Sequence, residues 1–122
     1  SNVVDNIRLI GSVDNKNLVI TDDMIDTGGT LAKATDELAS KGALDMWLVC
    51  THGIFSPPAT DNLSGMNVIC TNTLDLSDIN RKQFNSFLFL DVSSFIKETI
   101  RRIDNGLPFG PLFNKWGFHH DS

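Results

Sequence analysis

The chain has no run of apolar residues approaching the roughly 20 needed to cross a bilayer as a helix, so no membrane span is read in it. It is also short of positive charge, with 10 Lys and Arg against 15 Asp and Glu and a net charge of −5. A general nucleic-acid surface needs a basic footprint, and this balance excludes one. Only two cysteines occur, Cys50 and Cys70, each closing an apolar run, with no second Cys or His at ligand spacing. That gives a disulfide or a cysteine metal site little support and predicts two buried thiols in a reducing compartment. Internal repeats, heptads and low-complexity tracts are absent as well. What remains, 122 residues of which 41% are hydrophobic and 20% charged, describes one compact cytoplasmic domain. A chain of this length buries about two-thirds of its unfolded surface.

The order of patterns predicts a parallel α/β sheet with helices on both faces. Short strands are expected at Ile7 to Ile10 and Leu18 to Thr21, joined by the polar turn Asp14-Asn15-Lys16-Asn17. Leu31, Ala34, Leu38 and Ala39 recur at helical spacing and Gly42 is the expected stop. Met46 to Cys50 is continuously apolar, as in a parallel strand covered on both faces. After Ser56-Pro57-Pro58-Ala59 a helical turn or two precedes Gly65, and Val68 to Cys70 and Phe87 to Val92 read as further strands. Ser93 or Ser94 is placed to cap a last helix with the apolar face Phe95, Ile96, Ile100 and Ile103, ended by Asn105-Gly106 and Pro108. In parallel sheets ligands bind beyond the C-terminal strand ends. Three loops leave such ends, Thr21 to Thr30, Thr51 to Ser56 and Thr71 to Asp75.

The first of these loops carries the chemistry. Leu18-Val19-Ile20 leads into Asp22-Asp23, then a short hinge, then Asp26-Thr27-Gly28-Gly29-Thr30 at the start of a helix. Carboxylates accept hydrogen bonds from sugar hydroxyls, and the first turn of a helix offers unpaired N–H groups to a phosphate. Thr27 and Thr30 add hydroxyl donors, and glycine lets the backbone come close. With a net charge of −5, a phosphate must be held by local dipoles or a cation and not by the overall field. Away from this loop, Lys97, Arg101 and Arg102 read as a solvated helix face, and His119-His120 as a tail with no metal role. His52, between Thr51 and Gly53, fits either a loop hydrogen bond or a proton-transfer group.

Asp22-Asp23-Met24-Ile25-Asp26-Thr27-Gly28-Gly29-Thr30-Leu31 resembles the phosphoribosyl-pyrophosphate (PRPP) loop of the type I phosphoribosyltransferases and of ribose-phosphate pyrophosphokinase, the PRPP synthetases. The synthetases are the nearer match. Thr51-His52-Gly53-Ile54-Phe55-Ser56, Val68-Ile69-Cys70-Thr71-Asn72-Thr73, and Ile100-Arg101-Arg102 through Asn105-Gly106 to Leu112-Phe113 are similar to synthetase segments in the same order. The resemblance implies that residues 1–113 are the C-terminal, sugar-phosphate-binding part of such an enzyme, with 114–122 a tail. The start at Ser1-Asn2 without Met is read as a tag remnant. By the same resemblance Asp22 and Asp23 hold the ribose 2′ and 3′ hydroxyls, while Asp26, Thr27, Gly28, Gly29 and Thr30 cradle the 5′-phosphate. Val at Gly28 is then expected to clash with that phosphate or to force an unfavourable φ.

The implied activity is transfer of pyrophosphate from Mg-ATP to ribose 5-phosphate, with Mg²⁺ as cofactor in the complete enzyme, in a homo-oligomer. The family's flexible catalytic loop is missing, so no catalytic residue is assigned and the chain alone is expected to be inactive. Gly11-Ser12-Val13 and Pro108-Phe109-Gly110-Pro111 depart from the family pattern, the latter where a regulatory phosphate site is expected. Two alternatives stand beside this reading: a transferase that consumes PRPP and a nucleobase, and a non-catalytic regulatory or assembly subunit.

Overall fold

The computed structural model describes residues 9–115, which divide after Leu90 into two compact units. In the first unit the order is β1 (Leu18–Ile25), α1 (Gly29–Ser40), β2 (Met46–Gly53), α2 (Ala59–Asn62), β3 (Asn67–Thr71), a 3₁₀ turn (Arg81–Gln83) and β4 (Ser86–Leu90). The four strands form one parallel sheet in the order β1-β2-β3-β4. This is the parallel α/β architecture that the alternating patterns predict.

The register is continuous across the sheet. Ile20, Leu48, Val68 and Phe87 form one row, and Asp22, Cys50, Cys70 and Phe89 the next. Side chains along a strand alternate between faces, so these two rows share a face. The core lies on that face, with Leu48, Val68 and Cys70 at 1% exposure or less and Ala59 and Leu63 packed with them; Ile25, at the end of β1, belongs to the same buried cluster. Each Leu or Val buried this way stabilises the fold by about 1.5–3 kcal/mol. Phe55, Phe84 and Phe87 close the core with ring centroids 5.0–5.9 Å apart, and Arg81 stacks 4.3 Å over Phe89.

Several elements depart from expectation for identifiable reasons. Leu9 and Ile10 are not in a strand, and Ile7 lies outside the described residues. β1 runs on to Ile25, so Asp22 and Asp23 sit within the strand and not beyond its end. Asp22 and Asp23 are exposed, although Ile25 at the end of the same strand is buried. Burial along β2 alternates, with Leu48 and Cys50 deep and Trp47 and Val49 half-buried. Its unbroken apolar run therefore does not mean equal cover on its two sides. In α1 the inward residues are Leu31, Ala32 and Thr35, and Ala39 is exposed. Thr35 tolerates burial because its hydroxyl donates to the Ala32 carbonyl at 2.9 Å. Gly42 lies just past the helix at φ +93°, where it was expected to stop it.

Cys50 and Cys70 are buried and free, opposite one another in register. Their hydrogen bond, then burial, pushes the Cys50 thiol well up, whereas accepting that bond, with help from the Arg81 charge, draws Cys70 down.

The second unit contains α3 (Ser93–Asp104) and α4 (Gly110–Lys115). The N-cap of α3 is Val92, so Ser93 and Ser94 lie inside the helix and neither is the expected cap; the Asp91 carboxylate, one residue before the cap, accepts from the Ser93 N–H at 2.8 Å. On α3, Glu98 takes bonds from Arg101 at 2.8 and 2.9 Å and from Arg102 at 3.0 Å. The Arg101 bond is the main reason its carboxyl falls to about 2. Arg102 also donates to the Pro108 carbonyl at 2.6 Å, so this basic pair is engaged within its own unit. The helix α4 was not read from Gly110-Pro111, although proline is well tolerated in a first helical turn. Trp116, Phe118, His119 and His120 lie outside the described residues.

Candidate functional site

The parallel sheet delivers its three polar loops to one edge, and hydrogen bonds join them there. Ile54 and Phe55 N–H both donate to the Ile25 carbonyl, at 2.9 and 3.1 Å, which ties the end of β2 to the start of the glycine loop. Thr71 Oγ1 donates to the Thr51 carbonyl at 2.5 Å, and Thr73 Oγ1 reaches the same oxygen at 3.2 Å. His52 Nδ1 lies 2.8 Å from Thr73 Oγ1, the loop hydrogen bond that one of its two readings anticipates.

At this edge a shallow cavity of about 180 Å³ is lined by Asp22, Met24, Ile25 and every residue from Asp26 to Leu31. Six of the seven residues predicted for ligand binding are thus brought together. Asp23 is not on the wall. It is exposed, its Oδ1 accepts from the Met24 N–H at 2.8 Å, and its own N–H donates to Asp22 Oδ1 at 2.8 Å. The β1–β2 pairing passes from Asp22↔Cys50 to Met24↔His52, skipping Asp23. Adjacent strand residues point to opposite faces, which is why two neighbouring carboxylates do not share one wall.

The helix end supplies the electropositive part. Gly28 is the N-cap of α1 with φ +74°, and no side chain caps the helix there. The first turn of α1 also contains no acidic residue. Its leading N–H groups therefore have neither an intrahelical acceptor nor a local carboxylate to satisfy them, the condition under which a helix start receives an anion. Thr27 and Thr30 are exposed beside these amides.

Two residues at this site carry no signal in the sequence. Asn62 Nδ2 donates to the Thr27 carbonyl at 2.8 Å, and the Leu63 side chain fills the space beside Gly28. A Cβ on Gly28 would lie 2.8 Å from Leu63 Cγ and Cδ1, so glycine is required by packing as well as by φ. The contact spans 35 residues and follows no local motif.

Fold and edge together define a parallel α/β protein with a strand, acidic residue, glycine loop and helix start arranged around an anion-sized cavity. A model of the phosphoribosyl synthetase-associated domain matches residues 2–114, and the chain belongs to that family. It is 41% identical over 112 residues to the chloroplastic ribose-phosphate pyrophosphokinase 1 of Oryza sativa subsp. japonica, covering 89% of this chain and 28% of that protein. To the ribose-phosphate pyrophosphokinase of Haemophilus ducreyi it is 38% identical over 117 residues, covering 93% of this chain and 37% of the relative. The crystal structure of phosphoribosylpyrophosphate synthetase from Mycobacterium smegmatis superposes with a TM-score of 0.72 at 38% identity, covering 81% of this chain and 34% of that one. The chain thus spans little more than a third of these relatives at most. Among the described residues no helix is long and apolar enough to cross a membrane.

Proposed function

We propose that this chain supplies the ribose 5-phosphate site of a ribose-phosphate pyrophosphokinase of type I phosphoribosyltransferase fold, with residues 1–113 as the binding part and 114–122 as a tail. The observation that carries this reading is the uncapped, acid-free start of α1 beside Asp22 in one cavity. The 5′-phosphate meets the amides of the Gly28-Gly29-Thr30 turn and the hydroxyls of Thr27 and Thr30, with Asp26 at the loop's entrance. Asp22, on the cavity wall, accepts from the ribose diol, and Asp23, which lies off that wall, is assigned the weaker share of the same hold. Fixing the sugar at both ends orients its 1-hydroxyl toward the incoming phosphates and removes the entropy of that alignment from the barrier.

In the complete enzyme of this proposal Mg²⁺, bound with ATP, would supply charge neutralisation on the transferred phosphates. Among the described residues no three His, Cys, Asp or Glu side chains gather as a cage, so the residues present do not fit a resident metal, and no step is routed through one. Cytoplasmic location and homo-oligomeric assembly belong to the same proposal.

The 122 residues alone are expected to form no PRPP from Mg-ATP and ribose 5-phosphate. An assay for ATP- and sugar-dependent AMP release checks this. Robust release from clean protein would place the catalytic groups within these residues and overturn the proposed division of labour.

A further inference from the structure

We infer that Asn62 is a positioning residue that locks the Thr27–Gly28 peptide so that the loop presents an N–H, and not a carbonyl, to the phosphate. The inference rests on the reading of Asp26 to Thr30 as the phosphate loop. Its basis is the 2.8 Å bond from Asn62 Nδ2 to the Thr27 carbonyl. A trans peptide is planar, with its C=O and N–H on opposite sides. With the Thr27 carbonyl held toward α2, the Gly28 N–H of the same unit is aimed away from α2.

Glycine at position 28 makes this control necessary. Gly28 sits at φ +74°, and a residue without a Cβ populates both signs of φ readily, so the preceding peptide can flip at little cost. The flipped state would turn a carbonyl oxygen toward an anionic ligand, exchanging attraction for repulsion. Two contacts from the end of α2 and the residue after it oppose it: the Asn62 amide on the carbonyl and the Leu63 side chain against Gly28.

The support for this bond is itself rigid. Ala59 and Leu63 are fully buried, and Asn62 and Leu63 N–H donate to the Pro58 and Ala59 carbonyls at 2.9 Å. Beyond α2, the Gly65 N–H donates to the Gln83 carbonyl at 2.7 Å, and Gln83 Nε2 donates to Asp61 at 3.2 Å. The short helix is therefore a brace between the sheet core and the loop.

The test uses the full chain and two variants, Asn62→Ala and the nearly isosteric Asn62→Asp, which cannot donate. Each is titrated with ribose 5-phosphate and with inorganic phosphate, and its amide spectrum is recorded. Each variant should lose affinity for both ligands alike, Asn62→Ala by roughly three- to tenfold for one hydrogen bond and Asn62→Asp by more because it adds a negative charge beside the anion, with sheet cross-peaks unmoved. Parent-like affinity in both variants would overturn the inference while leaving the phosphate-loop reading intact. A loss for ribose 5-phosphate with inorganic phosphate unchanged would also overturn it. So would collapse of the sheet spectrum in both variants, which would assign Asn62 to holding the fold. If the parent binds neither ligand, the loop reading fails first and the inference with it.

Discussion

Asp22→Asn combined with Asp23→Asn is expected to abolish most of the hold on ribose 5-phosphate while leaving inorganic phosphate binding at the parental level. Each lost charge-assisted hydrogen bond costs on the order of 1.5–3 kcal/mol, or roughly ten- to a hundred-and-fifty-fold in affinity. Asparagine keeps an oxygen that can still accept from the Asp23-position and Met24 N–H groups, so the strand should persist. The single variants divide the effect. Asp22 lines the cavity and Asp23 does not, so Asp22→Asn should account for the larger share. Calorimetric titration of the three variants with both ligands checks this. If the double variant bound ribose 5-phosphate as tightly as the parent, the carboxylates would not be the diol site.

Gly28→Val should act mainly on stability, and through Leu63 before any ligand is involved. The φ of +74° is strongly unfavourable for a β-branched residue, and the new side chain would drive into Leu63 Cγ and Cδ1. Strain at such a φ costs roughly 1–3 kcal/mol, and overpacking a filled site about as much again, for a total of roughly 2–6 kcal/mol. Gly29→Ala is the control. A Cβ there meets only Asn62 Nδ2 at 3.8 Å, and alanine is a better helix former. Denaturant unfolding should show Gly28→Val far less stable than the parent and Gly29→Ala unchanged or slightly more stable. Equal stability of the two would contradict the role given to Leu63. The clash with bound phosphate anticipated from the sequence is thus preceded by a clash within the protein.

The parts of this site legible in the sequence are those encoded locally. Asp26 to Thr30 announced a helix start because its glycines, threonines and acidic residue lie in unbroken order, and α1 begins at Gly29. Strand positions were readable from Leu18-Val19-Ile20, Met46 to Cys50 and Val68 to Cys70, since apolar runs between polar loops permit few other assignments. Strand ends were less legible. β1 extends five residues past Ile20 because its pairing with β2 continues through Asp22 and Met24, and pairing is a property of the neighbour. Asn62 and Leu63 were invisible for the same reason: an Asn-Leu pair has no meaning until folding brings Thr27 and Gly28 against it. Opposed pointing of Asp22 and Asp23 follows from strand alternation, but only once both are known to lie inside a strand.

Mapping ribose 5-phosphate onto the amide spectrum of the 122-residue chain tests the central claim most directly. Saturable shifts should centre on the amides of Gly28, Gly29, Thr30 and Leu31 and extend to Asp22. Inorganic phosphate should reproduce the shifts at the helix start but not those at Asp22. Shifts that avoid the start of α1, or no saturable shifts with either ligand, would contradict the assignment of this loop as the sugar-phosphate site.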